Sequence, residues 1–324
     1  MSNFKRVSLL LLGGLLFLGV MAVLGAPVRA DAGKPAEPLP LSYQTYLPIV
    51  RGGKGGAVIT PTLRAGLRAS SYGIEPFPAS GWWITSTRQM AGYVPGSAPA
   101  VIWIVGVIQE SDNACQLNFP APATGGPYEH ILFDSEDFNE SYLQAFDAQG
   151  MQVWLQVEPG VADIGTLVDL ILDRYGRHPS VIGVGVDVEW YRNDVNPDGK
   201  PVTNAEAQAW VTRIRAHNPN GRLFLKHWET AQMPSTYRDG VVFIDDSQTL
   251  DDLDAMVAEF KVWGQTFSPA PVGFQFGYRG DRPWWVLLNN PPRTITQALH
   301  NAIPNATDFY WVDFTAREIW PTKN

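Results

Sequence analysis

Two carboxyl groups stand two residues apart at the end of the run Val181-Ile182-Gly183-Val184-Gly185-Val186-Asp187-Val188-Glu189-Trp190. Strict two-residue alternation is the pattern of a β-strand, whose side chains point to opposite faces in turn. Ile182, Val184, Val186 and Val188 then share one face, and Gly183, Gly185, Asp187 and Glu189 the other. Two carboxyls on an interior face are costly to desolvate unless they lie at its open end with polar partners. Adjacent carboxyls also push their pKa values apart, which keeps one of them an acid near neutral pH. The spacing predicts Glu189 as a proton donor and Asp187 as the group that orients it or a reacting group of the substrate. The alternative is a structural ion pair with a base such as Lys226, with no chemistry attached.

Acid chemistry on a glycosidic bond calls for a second carboxylate across a cleft. The candidates at predicted strand ends are Glu158, Asp245 or Asp246, and Asp313. The run Gly273-Phe274-Gln275-Phe276-Gly277 alternates small or polar with large apolar residues, so Gln275 is expected to point inward, where it could bond a sugar hydroxyl. Tyr191, Trp228, Tyr278 and Trp311 lie at or near strand ends and could line sugar subsites; for each, a place in the core is the competing reading. The expected substrate-binding set is thus Glu158, Tyr191, Trp228, Asp246, Gln275, Tyr278 and Trp311.

Asp194-x-Asn196-x-Asp198-Gly199 opens like a calcium loop, but the closing Glu falls on Ala205, and a plain turn is the favoured reading. His217 and His227 lack a tight metal-ligand spacing, and the sequence has no G-x-S-x-G elbow, G-x-G-x-x-G turn or Walker A loop. No cofactor and no catalytic metal are expected.

The end of this strand resembles the glycoside hydrolase family 18 (chitinase-like) barrels, whose fourth strand ends in D-x-x-D-x-D-x-E with the last Glu as acid. Asp187-x-Glu189 matches; Ile182 and Gly185 occupy the two earlier acidic positions. The resemblance implies a (β/α)₈ barrel with Glu189 as general acid. In that family the Asp before the Glu positions the sugar's acetamido group, a route that the half-matched motif leaves open here.

These residues need a frame. Apolar β-rich runs alternate with amphipathic stretches, the pattern of a parallel sheet with helical crossovers. Strands are predicted over 70–74, 101–108, 152–157, 181–190, 222–228, 241–244, 272–276 and 309–312. Helices are expected near 82–93, 136–149, 163–175, 250–263 and 294–302. Thr203-Asn204-Ala205-Glu206 reads as a capping box that opens another, running to His217. Eight such units predict an α/β fold, a single (β/α)₈ TIM barrel over 62–324, with the acidic pair at the C-terminal rim where such barrels hold their active sites.

Ahead of the barrel, Lys5 and Arg6 precede an apolar run from Val7 to Gly25 and a Val28-Arg29-Ala30 cleavage site, so 1–30 reads as a signal peptide. An uncleaved anchor is the alternative. Residues 31–61, rich in Ala, Pro and Gly, read as a linker. Export and a single cysteine imply a fold held by its core rather than by disulfides. A net charge of −8 without a basic cluster in the barrel excludes nucleic acid as a partner. The expectation is a secreted, monomeric glycosidase acting on a polysaccharide or glycan, with no membrane span after signal cleavage. A carbohydrate-binding barrel without catalysis is the alternative.

Overall fold

The computed structural model describes residues 62–109 and 111–322; the expected signal peptide and linker lie outside the described residues. In chain order the elements are β1 Arg64–Ala69, α1 Ser80–Ala91, β2 Ala98–Gln109, β3 Ala114–Leu117, β4 Ile131–Phe133, α2 Glu140–Ala148, β5 Gln152–Val157 and α3 Ile164–Tyr175. They continue with β6 Val181–Asp187, α4 Asn204–His217, β7 Arg222–Lys226, β8 Val241–Asp245, α5 Leu253–Phe267 and β9 Val272–Phe276. The chain then adds α6 Arg282–Trp285, α7 Pro291–Ala302, β10 Ala306–Val312 and α8 Asp313–Ile319. Strands β1, β2 and β5 to β10 pair in parallel, and β1 bonds both β10 and β2, which closes the sheet. The fold is a (β/α)₈ barrel. One crossover departs from the pattern: β7 reaches β8 through a short 3₁₀ turn, Thr230–Gln232, rather than an α-helix.

Alternation along the strands separates two cores. The outward faces, among them Val184, Val186, Leu223, Leu225, Phe274 and Phe276, merge with the helices' apolar stripes into one large cluster. α3 shows how the sequence builds that layer. Asp163 caps it by accepting from Thr166 N at 2.7 Å, and Leu167, Val168, Ile171 and Tyr175 recur at helical spacing on its buried side. The Thr203–Glu206 capping box forms at the start of α4, with both reciprocal bonds made. Inside the barrel a smaller apolar layer gathers Ile102, Trp154, Phe224, Ile244 and Tyr310. Below it Arg64 meets Asp308 at 3.4 Å and Gln152 at 2.7 Å. Above it the interior turns polar.

Three expectations are corrected. The first strand is Arg64–Ala69, and residues 71–76 form turns and bends. Its inward residues Arg64 and Arg68 are charged, which hides a buried strand from a hydrophobicity reading; buried partners on β10 and just after it, Asp308 and Asp313, make the charges tolerable. The fourth barrel strand ends at Asp187, and Val188–Trp190 is a 3₁₀ turn. Ile182, expected on the helix side, packs against the interior layer. A register shift sets Val153 opposite Val181 but Trp154 opposite Gly183, so the bulged residue changes face.

Candidate active site

The polar layer lies at the C-terminal ends of the strands. Gln156 on β5, Asp187 on β6, Lys226 on β7, Asp246 just past β8 and Gln275 on β9 occupy inward positions on five successive strands. They form a continuous arc. Gln156 Nε2 donates to Asp187 Oδ2 at 3.2 Å, and Lys226 Nζ sits 3.0 Å from the same oxygen. Lys226 also contacts Asp246 Oδ2 closely, and Tyr278 OH lies 3.5 Å from that oxygen while donating to Gln275 Oε1 at 3.2 Å.

Four of the five arc members leave one atom over. Gln156 Oε1, Asp187 Oδ1, Asp246 Oδ1 and Gln275 Nε2 are buried without a hydrogen-bond partner among the described residues. An unsatisfied buried polar group costs about 1–3 kcal/mol, so the four together concentrate a cost to stability on one arc.

A second cluster adjoins the arc. Arg68 Nη1 bonds Asp313 Oδ1 at 2.7 Å, and Asp313 Oδ2 accepts from both the backbone N and the hydroxyl of Ser70 at 2.6 Å. Arg68 Nη2 donates to Tyr72 OH, which in turn donates to Glu158 Oε1; the other Glu158 oxygen accepts from Ile108 N at 3.3 Å. Arg68, Tyr72 and Gln156 were not among the expected site residues. Gln156 was within reach, because Trp154, Gln156 and Glu158 repeat the two-residue spacing of Gly185, Asp187 and Glu189. Tyr72 was not, because it lies in a turn after a strand placed too late.

Electrostatics divide the carboxyls into two kinds. Burial works against the charge on Lys226, but Asp187 and Asp246 outweigh it and hold the ammonium protonated well above its ordinary range. Lys226 is therefore no Schiff-base nucleophile at neutral pH. Glu189 has no such partner among the described residues. Half-buried on the turn beyond Asp187, it is pushed up to about 8: burial contributes most, Lys226 opposes, and Asp187, Asp246 and Glu158 reinforce. Glu158 is pushed up to about 7 by burial and by the charge of Asp187, against the bonds from Tyr72 and Ile108 and the charge of Arg68. Burial also raises Asp187, with Lys226 the main opposing influence.

The structure thus gathers Glu189, Asp187, Glu158, Asp246, Gln275 and Tyr278 at one rim. Asp245 faces away from the arc, with Ser247 N donating to it at 2.8 Å. Tyr191 also lies apart: its hydroxyl bonds Glu206 Oε1 at 2.8 Å and its ring packs edge-on against Trp210. Trp311, expected to line a subsite, is fully buried on the helix side of β10, edge-on to Trp285 at 5.2 Å, because inward positions on that strand fall to Asp308 and Tyr310. Trp228 is half-buried and stacks on His227 at 4.1 Å. Both nitrogens of His227 are engaged, with Asp198 O and Glu229 N at 2.8 Å, and burial lowers its pKa, so the ring is neutral and is no free base.

The acidic loop behaves as turns: Asp194 pairs with Arg192 at 3.0 Å, Asn196 Oδ1 accepts from Asp198 N at 3.3 Å, and Gly199 takes a left-handed φ of 83°. Among the described residues no cluster of three or more His, Cys, Asp or Glu side chains could hold a metal ion, and no helix is long and apolar enough to cross a membrane.

A Cβ on Gly185 would lie 2.0 Å from Phe224 Cζ, so that ring fills the inward space beside the glycine.

No family model matches the sequence, and no curated protein does. Among solved structures the chain is similar to a candidate alpha-L-fucosidase from Bacteroides thetaiotaomicron, at 12% identity and a TM-score of 0.48 over 84% of this chain and 96% of the other. It is also similar to endo-glycoceramidase II from Rhodococcus sp., at 12% identity and a TM-score of 0.41 over 78% and 73%. An uncultured Clostridium beta-glucuronidase aligns at 8% identity and a TM-score of 0.42 over 78% of this chain but only 43% of its own. These likenesses do not single out the expected family 18; each is a likeness of barrel fold, and no residue role passes from those proteins to this one.

Proposed function

We propose that the chain is a glycoside hydrolase, exported to act as a monomer on a polysaccharide or glycan, with Glu189 as general acid. The observation that carries this reading is the contrast within one rim: Asp187 and Asp246 share the Lys226 ammonium, whereas no cation among the described residues is bonded to Glu189, whose carboxyl burial pushes up to about 8. Breaking a glycosidic bond requires a proton on the departing oxygen as the C–O bond opens, and a carboxyl protonated at working pH supplies it. Asp187, through its unpartnered Oδ1, would steady the positive charge that develops at the sugar ring. Glu158, bonded to Tyr72 rather than to a cation, is the carboxyl that would take the proton of the attacking water. One proton then leaves Glu189 for the alcohol product, and one arrives from water at the base.

A second reading is a carbohydrate-binding barrel without turnover. It is favoured by the neutralisation of Asp187 and Asp246 by Lys226 and of Asp313 by Arg68, which removes three carboxylates from base or nucleophile duty. Release of reducing sugar from a polysaccharide panel separates the two. Turnover that drops by about 100-fold or more in Glu189→Gln supports the acid role. Saturable binding with no release by the parent protein supports the binding barrel and retires Glu189 as acid.

A further inference from the structure

Two adjoining cavities open on the loops that follow β2, β5 and β6, the same end of the barrel as the candidate site. One, of about 420 Å³, reaches the β2–β3 turn at Asp112; the other, of about 300 Å³, reaches α4 at Glu206. Val161 and Arg192 line both, so the two form one groove of the size that small ligands occupy. Val161 stands three residues after Glu158 and Tyr191 two after Glu189, at most about 11 Å and 8 Å away along the backbone. The groove is locked in place. Val161 N donates to Asn113 O and Arg192 N to Gly160 O, each at 2.9 Å, and a Cβ on Gly160 would lie 2.0 Å from Asn113 O. Of the five non-glycine residues with left-handed backbone among the described residues, three line it: Asn113, His130 and Arg192. Such conformations persist only where the surrounding structure holds them.

We infer that this groove holds the outer part of an uncharged glycan chain whose end lies at the barrel mouth, so that the protein selects long chains over disaccharides and neutral chains over polyuronates. The inference rests on the reading of the rim as a sugar site, catalytic or not. The deeper lining is apolar, made by Val161, Ala162, Ile164 and the rings of Tyr191 and Trp210, which suits the C–H faces of a sugar ring. Tyr191, set apart from the arc, thus still lines a cavity beside it. The outer lining carries Asp112, Glu129, Asp163, Asp194 and Glu206, whose oxygens can accept from sugar hydroxyls. One arginine, Arg192, stands among these five carboxyls, and it is already paired with Asp194 at 3.0 Å. A chain of uronates would bring further negative charge against that lining without a free guanidinium to meet it, whereas a neutral chain carries no such penalty.

The test is titration calorimetry on the Glu189→Gln protein, with the disaccharide and hexasaccharide of cellulose, xylan, mannan, chitin and amylose, and the hexasaccharide of polygalacturonate. At least one neutral hexasaccharide should bind about tenfold or more tightly than its own disaccharide and than the galacturonate. Val161→Trp, added to that protein, fills the stretch common to both cavities and should erase the gain with chain length while leaving the affinity for the disaccharide in place. Glu129→Lys, at an exposed position, should leave the neutral hexasaccharide bound and strengthen the galacturonate about threefold or more, as expected when one repulsive charge becomes attractive. No gain with chain length in any neutral series overturns the inference. So does a gain that survives in a folded Val161→Trp protein, tightest binding of the galacturonate, or a Glu129→Lys protein indifferent to it. The chain-length pattern without release of reducing sugar by the parent leaves the inference standing and removes the hydrolase reading. Release of reducing sugar at equal kcat/KM from disaccharide and hexasaccharide does the reverse.

Discussion

Lys226 Nζ lies 3.0 Å from Asp187 Oδ2, with both groups out of solvent, and the same ammonium contacts Asp246. One positive charge is thus shared by two carboxylates on neighbouring barrel strands. The arrangement is costly to assemble, because three charges leave water, and costlier to break.

Lys226→Met removes the shared cation and leaves two carboxylates facing each other in a low-dielectric site. A loss of about 3–5 kcal/mol is expected at pH 8, the usual effect of stripping one partner from a buried pair. Part of it should return at pH 5, where Asp187, raised by burial and no longer opposed by the ammonium, protonates rather than stays charged and unpaired. Denaturant unfolding at the two pH values checks this; equal losses at both would mean that the pair is not held as ions.

The raised carboxyls predict a pH dependence of opposite sense to ordinary acid denaturation. Glu189 and Glu158 have folded pKa values of about 8 and about 7 against an ordinary 4.5, so between those limits the folded state binds more protons than the unfolded one. Their contribution is fully present below pH 4.5 and is lost as pH rises through 7 and 8. Melting temperature should fall over this window in the parent protein and fall less in Glu189→Gln. The catalytic rate should decline above about pH 8 as the acid loses its proton, with no such limb in the residual activity of the variant.

Tyr72→Phe deletes the hydroxyl that links Arg68 to Glu158. That bond lowers the Glu158 pKa, so its loss should move the Glu158 titration upward from about 7, read by carboxyl NMR chemical shifts. If Glu158 is the base, the acidic limb of the activity profile should shift upward with it while the alkaline limb set by Glu189 stays in place. A profile unchanged on both sides would remove Glu158 from the mechanism.

What could be read from the chain followed burial. β5 and β9 fall where the alternation of Gln152–Val157 and Val272–Phe276 placed them, because each is buried on both faces and bounded by turns. β1 was misplaced because two arginines on its interior side look like a surface pattern until Asp308 and Asp313, more than 240 residues later, come into contact with them. The site divides in the same way. Asp187, Glu189 and Gln275 carry local signals in their spacing, whereas Tyr72 reaches Glu158 only through closure of the barrel. Trp311 failed as a rim residue because one position along a strand exchanges interior for exterior.

Gly185 tests how tightly the interior layer is packed. Its inward direction leads into the Phe224 ring, with an added Cβ 2.0 Å from Cζ, and that ring packs edge-on against Trp154 at 5.4 Å. Gly185→Ala should overpack the interior layer and cost about 1–3 kcal/mol. Phe224→Leu alone should also destabilise, by leaving space beside Trp154. The double variant should be more stable than the sum of the two losses predicts, since the methyl group occupies part of the space vacated by the ring, and a coupling of at least about 0.5 kcal/mol in a double-mutant cycle is expected for residues in direct contact. Strict additivity would place the constraint on Gly185 elsewhere, in the backbone of β6 rather than in the ring that faces it.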